Sequence, residues 1–262
     1  MKALWLVPMM AAIGCHAPAS TGTANANPNA SSIANANANA TPIANANANT
    51  DAGWNGEDAN GAFLGRVPAS PMSFQGAWWL DRAGRDDVQK PEHVLDVIGV
   101  KPAMTVADIG CGSGYFSVKI AKRVTPGGKV LAVDLQPEML ALLDKKVKAT
   151  KVDNVVPVLA TEGDVGLPKG AVDIAFFVDV YHELGHPLRT MTQVKDALTP
   201  TGKVVLVEYR AEDPKVDIKP EHKTTLAQLK KELDFEGYDF VSSDESLPEQ
   251  RIVTFVPRSR DH

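Results

Sequence analysis

From residue 74 onward the apolar and polar positions alternate between two rhythms. Short continuous apolar runs, bounded by glycine, proline and charged residues, read as strands buried on both faces, and they fall at 105–109, 129–134, 155–160, 172–180 and 203–209. Helical spacing occupies the stretches between them, at 114–123, 137–148 and 187–197. An earlier helix is predicted at 88–98, preceded by Asp86 and Asp87 and carrying Val94, Leu95 and Ile98 on one face. TPGG at 125–128 and TPTG at 199–202 are turn signals. Strands that alternate with helices imply an α/β domain with a mostly parallel sheet covered on both sides. After Tyr209 the rhythm changes: a helix at 224–235 precedes two final strands at 238–242 and 250–256.

The first sixty residues follow a different pattern. Lys2 leads into an apolar run at 3–13, then Gly14 and Cys15. Such a run is too short to span a bilayer as a helix and has the length of a signal-peptide core. The small-residue step before Cys15 resembles a bacterial lipoprotein cleavage site, with Ala12 where Leu is usual. That resemblance implies export, acylation of Cys15 and a periplasmic domain lipid-anchored to the outer membrane, since His16 is not the Asp that marks inner-membrane retention. Ala-Asn repeats at 24–50 offer no apolar face able to offset the entropy of ordering, so 16–62 is expected to be a disordered tether spanning on the order of 40 Å. The folded domain is expected at 63–262. Of the two cysteines, Cys111 then stands alone and no disulfide forms. The net charge of −5 argues against a nucleic-acid partner. The basic cluster Lys145, Lys146, Lys148 and Lys151 ends a predicted helix, where it complements the helix dipole.

Candidate chemistry concentrates in VADIGCGSGYF at 106–116 and VLAVDLQ at 130–136. An apolar strand ends in Asp108 and Ile109, and glycines follow at alternate positions, Gly110, Gly112 and Gly114. A second strand ends at Asp134, twenty residues after the last glycine. This is the layout of a nucleoside-binding βαβ unit: glycines let backbone approach a ligand, and a carboxylate ending the second strand accepts from ribose hydroxyls. A dinucleotide site uses G-x-G-x-x-G to seat a pyrophosphate at a helix N-terminus. Here the spacing is G-x-G-x-G with Asp108 just upstream, which repels phosphate and suits a cation.

The DIGCGSG motif with Asp134 at this distance resembles the class I S-adenosylmethionine-dependent methyltransferases, over about residues 74–256. The resemblance implies a Rossmann-like, doubly wound seven-stranded sheet, mostly parallel, whose last strand inserts antiparallel, and S-adenosyl-L-methionine as cofactor. It implies a cofactor-binding set of Asp108, Gly110, Cys111, Gly112, Gly114, Tyr115, Asp134, Leu135, Asp164 and Asp179. Within that set Asp108 would hold the methionine amino group, Asp164 in the EGDVGLP loop would accept from the adenine amine, and Asp179 would lie beside the sulfonium. VDVYHEL at 178–184 resembles the family's acceptor-side motif, which makes His182 the candidate general base and Tyr181 a residue packed on the methyl or acceptor. FQGAWWLDRAGRDD from Phe74 resembles the helices that close over the cofactor, so 74–100 is expected to form a lid with Trp78, Trp79 and Arg82 lining it. Arg85 is expected in a surface salt bridge. His222, after the fifth strand, falls where acceptor-binding residues gather in this family.

Two other readings compete. A domain that binds a nucleoside or metabolite without turnover would suit an exported location, where S-adenosylmethionine is not made. His182-Glu183-Leu184-Gly185-His186 also spells the H-E-x-x-H of zinc peptidases, which requires a helix. Strand character before it, Gly185 inside it and Pro187 after it oppose one, so no metal is expected. The acceptor is expected to be a small molecule. No motif names it, and nothing fixes the oligomeric state.

Overall fold

The computed structural model describes residues 55–58 and 61–259. The apolar leader and the Ala-Asn repeats lie outside the described residues. Seven strands form one sheet: β1 (Thr105–Ile109), β2 (Lys129–Asp134), β3 (Val155–Leu159), β4 (Val172–Val178), β5 (Leu198–Tyr209), β6 (Tyr238–Asp244) and β7 (Gln250–Pro257). Their order is β3-β2-β1-β4-β5-β7-β6. The pairings from β3 through β5 are parallel, while β7 runs antiparallel between β5 and β6. The expected seven-stranded sheet with an inserted antiparallel strand is therefore present.

Alternation along the strands explains why both faces are covered. Ala107, Ile109, Leu131, Val133, Ala175, Phe177, Val204 and Leu206 meet Met191 and Val194 of α5 (Pro187–Ala197) and Leu229 and Leu233 of α6 (Leu226–Phe235). Their neighbours Val106, Val130, Ala132, Ile174, Phe176, Val205 and Val207 pack on the opposite helices. Those are α2 (Pro91–Val97), α3 (Tyr115–Arg123) and α4 (Pro137–Thr150), through Val94, Leu95, Phe116, Ile120 and Leu143. Strands buried on both faces read as the unbroken apolar runs seen in the sequence.

Three local expectations are corrected. The helix predicted at 88–98 is two short ones, α1 (Arg85–Gln89) and α2, because Lys90 takes a left-handed conformation ahead of Pro91. TPTG does not end the element before β5. It is absorbed into that strand, where the register with β4 jumps from Val172↔Leu198 to Ile174↔Lys203. Order also reaches back past 63: Leu64 N–H donates to Gly56 O at 2.8 Å, and Glu57 bridges Phe63. Residues 74–81 form a 3-10 helix. Among the described residues no helix is long and apolar enough to cross a membrane.

Candidate active site

The sheet order reverses between β1 and β4, and ligand sites in such sheets lie beyond the carboxyl ends of the strands there. A cavity of about 790 Å³ occupies that place. Gly110 and Gly112 carry the chain out of β1 at φ of 68° and 54°. A Cβ on Gly110 would lie 2.4 Å from Val180 Cγ2, and one on Gly112 would lie 2.6 Å from Leu80 Cδ1, so the loop has no room for side chains. Asp134, at the end of β2, accepts from Gly112 N–H through Oδ2 and from Gln136 N–H through Oδ1, both at 2.9 Å. A carboxylate oxygen can accept more than one hydrogen bond, so Asp134, on the cavity lining, retains accepting capacity for a ribose diol. Burial raises the Asp134 pKa. Gly110, Gly112, Asp134 and Leu135 all face the cavity.

Four other residues of the expected cofactor set support this loop from beneath instead of lining the cavity. Asp108 is 3% exposed and accepts from Ser117 Oγ at 2.5 Å, which keeps its carboxylate inside the fold. Burial pushes its pKa up to about 6. Cys111 packs in the core against α3 and α4, and burial pushes its thiol up. Gly114 begins α3 at φ 82°, where a Cβ would strike Leu143. Tyr115 hydrogen-bonds Asp86 and lies under the Arg85 guanidinium, 3.8 Å from the ring centroid. Asp164 likewise turns to its own loop, accepting from Gly166 N–H at 2.8 Å, and the cavity wall there is Thr161 and Glu162.

The opposite wall is polar and buried. Asp179 follows β4 at φ 56°, and its carboxylate accepts from Gln250 Nε2 at 2.7 and 2.8 Å and from Gln89 Nε2 at 3.1 Å. Burial, with Glu208 nearby, pushes its pKa up to about 7. The next residues make a single 3-10 turn, Tyr181–Glu183. His182 Nδ1 lies 2.6 Å from Glu208 Oε2 and His182 Nε2 lies 3.1 Å from His222 Nδ1. Burial alone would lower the His182 pKa, and the surrounding carboxylates, Glu208 foremost with Asp179 and Glu183, together outweigh it, so the net shift is upward. Burial, reinforced by His182, lowers His222. Burial pushes Glu183 up to about 7. Tyr181 is not part of this wall: it is fully buried, its hydroxyl donating to Glu232 Oε2 at 2.9 Å and lying 3.2 Å from Glu236 Oε1.

The segment before the first helix closes the cavity. Ala69 N–H and Arg66 Nη1 both donate to His182 O, at 3.0 and 2.8 Å, while Arg66 forms a buried ion pair with Glu232. Gln136 clasps the same segment to the β2–α4 loop, donating to Met72 O at 2.8 Å and accepting from Phe74 N–H at 2.9 Å. Trp79 and Arg82 line the cavity and stack at 3.9 Å, whereas Trp78 is 72% exposed and is not part of the lining. Arg85 is not a surface residue. It is buried, with Nε donating to Gln89 Oε1 at 2.6 Å.

Sequence reading missed Glu208, Gln89 and Gln250. Glu208 had a signal: it ends the apolar run VVLV as Asp134 ends VLAV, which puts both acids at carboxyl ends of buried strands. The two glutamines had none, since each reaches Asp179 from a distant element.

A family profile described as a methyltransferase domain matches residues 100–248. A solved structure titled as a SAM dependent methyltransferase from Aquifex aeolicus is 27% identical, with a TM-score of 0.67, covering 71% of this chain and 98% of that one. Among curated proteins, the protein-L-isoaspartate O-methyltransferase of Aeropyrum pernix is 38% identical over 79 residues, 30% of each chain. The arsenite methyltransferase of Halobacterium salinarum is 27% identical over 165 residues, 59% of this chain and 41% of that one. The chain thus spans less than two thirds of the length of these curated relatives.

Proposed function

The chain belongs to the methyltransferase domain family, and we propose that it carries a methyl group from S-adenosylmethionine to a small-molecule acceptor held in the cavity above the sheet. The carrying observation is that one cavity has two differently equipped walls. Gly110, Gly112 and Asp134 form one, and Asp179, His182 and Glu183 form the other. The residues fit the donor's chemistry: a carboxylate for a ribose, a side-chain-free loop beside it, and the carboxyl groups of Asp179 and Glu183 on the facing wall where a cation would lie, with Arg82, Arg85 and Lys219 also on the lining.

The sulfonium is itself an activated electrophile, so transfer depends mainly on holding acceptor and methyl in line. Asp134 would fix the ribose, and the Gly110–Gly112 loop would bring backbone against the donor. Asp179, held by Gln89 and Gln250, would place a fixed carboxylate beside the positive charge. His182 would receive a proton from a hydroxyl, thiol or amine acceptor, with Glu208 stabilising the imidazolium formed. The segment at 66–72, pinned to His182 O, would exclude water. The apolar leader ending at Cys15 is the sequence feature that supports export with acylation there, which would put the domain outside the cytoplasm.

Calorimetry with S-adenosylmethionine and S-adenosylhomocysteine tests the reading first, and a screen for labelled methyl products follows. Binding of both with transfer to a small acceptor is expected. Absence of binding would overturn the methyltransferase reading, and binding without turnover across acceptor classes would leave only a nucleoside-binding domain.

A further inference from the structure

We infer that His182, Glu183 and His222 form a binding site for a first-row divalent metal ion, zinc by its donor set, at the acceptor end of the cavity. The H-E-x-x-H spacing pairs His182 with His186, but the chain does not fold that way. A helix would be needed to bring the two imidazoles onto one face. Instead the 3-10 turn stops at Glu183, Leu184 is extended, and His186 immediately precedes α5 with a half-exposed side chain 3.3 Å from Glu57. The place beside His182 is taken by His222, forty residues away in sequence, on the 3-10 turn Pro220–His222 between β5 and α6.

The geometry is that of three ligands around one point. His182 Nε2 and His222 Nδ1 are 3.1 Å apart, Glu183 Oε1 is 3.8 Å from the same Nδ1, and the donor atoms of all three lie within 4.8 Å of one another. Two nitrogens bound to one tetrahedral zinc at 2.0–2.1 Å stand about 3.3 Å apart. The supporting contact is also present. Glu208, wholly buried, engages His182 Nδ1 at 2.6 Å, which leaves the lone pair on Nε2 facing His222 and Glu183. A carboxylate that orients an imidazole in this way is the usual partner of a metal-bound histidine. All three side chains line the cavity, so a fourth coordination position would open onto it, as in catalytic and not structural zinc sites.

The site stands independently of the methyl-transfer reading, and only its use rests on that reading. With an ion bound, the His182 lone pair is committed to it. The ion then takes over the work of acidifying the acceptor: a hydroxyl or thiol coordinated at the open position loses its proton to solvent, and the resulting oxyanion or thiolate attacks the methyl carbon as the carbon–sulfur bond breaks. This favours an oxygen or sulfur acceptor over a carbon one.

The test uses the full chain stripped with chelator, titrated with Zn²⁺ by calorimetry and with Co²⁺ by visible absorption. One equivalent should bind, with the intense bands of four-coordinate cobalt. His222→Ala and Glu183→Gln should each weaken binding at least about tenfold, and Glu208→Gln by about 10- to 100-fold. His186→Ala should leave it unchanged. Thermal unfolding of each variant shows that affinity losses are not unfolding. Absence of stoichiometric binding in the unaltered protein, or a loss in His186→Ala equal to that in His222→Ala, would overturn the site. S-adenosylhomocysteine titrated into the same samples reads the cofactor proposal separately, so either can fail while the other stands.

Discussion

Glu208 Oε2 and His182 Nδ1 meet at 2.6 Å with both side chains buried, one at the end of β5 and the other just beyond β4. The carboxylate holds the imidazole in one tautomer and raises its pKa against the opposing effect of burial. Glu208→Gln keeps an oxygen for Tyr181 N–H, which Glu208 Oε1 accepts at 2.9 Å, and removes the charge. In chelator-treated protein the His182 titration followed by NMR should move to lower pH in the variant. Methyl transfer should fall by about 10² or more if His182 and its charge partner act on the acceptor. S-adenosylhomocysteine affinity should stay the same.

Asp134→Ala removes the carboxylate at the end of β2 that is placed for a ribose. Calorimetric affinity for S-adenosylhomocysteine should drop by about 1.5–3 kcal/mol, the scale for hydrogen bonds to a charged group. Because Asp134 also accepts from Gly112 and Gln136, Asp134→Asn serves as a comparison that retains one acceptor. Equal affinity in the alanine variant would remove the ribose from this position.

Gly110→Ala adds a methyl group at φ 68° within 2.4 Å of Val180 Cγ2. Gly170, at φ 61° with nothing within 4 Å, isolates the backbone part of the effect. Gly170→Ala should cost about 1–2 kcal/mol in denaturant unfolding. Gly110→Ala should cost more and should also abolish S-adenosylhomocysteine binding, because Val180 must move into the cavity it lines.

Asp108 gives a pH signature with a definite sign. Its carboxyl titrates at about 6 in the fold against 3.8 free, because burial disfavours the charge. Between those values the native state holds a proton that the unfolded chain has released, so stability falls as pH rises through that window and the loss is complete above about 6. Asp108→Asn stays neutral and escapes this loss. Urea unfolding should find variant and parent similar near about pH 4, and the variant more stable by up to about 3 kcal/mol near about pH 7. A parent that gains on the variant with rising pH would show that Asp108 is held charged.

Tyr181→Phe separates support from chemistry. The hydroxyl bridges Glu232 and Glu236 in the core, away from the cavity. Thermal and urea unfolding should report a loss of about 1–2 kcal/mol, with S-adenosylhomocysteine affinity retained.

The parallel sheet was legible because short apolar runs rich in valine, too short for helices and bounded by glycine, proline and charged residues, recur between helical stretches, as in VADI and VLAVD. The glycine loop was legible too, since Gly110 and Gly112 stand at backbone angles that few other residues tolerate. The same cues failed where burial and not spacing decides the outcome. Asp108 reads as a ligand from its position before the glycines, yet Ser117 on α3 draws it inward. Tyr181 and His182 are neighbours in sequence, and the 3-10 turn sends one to the core and the other to the cavity.

The chain alone therefore determined the layered α/β architecture, the glycine loop and Asp134 as its partner, because each depends on residues close in sequence or on a repeating period. Tertiary structure decided everything that joins distant segments. It set Glu208 behind His182, placed His222 and not His186 beside it, and brought Gln89 and Gln250 onto Asp179. Those pairings follow from strand order and from which groups must find partners once water is excluded, and neither is written in local spacing.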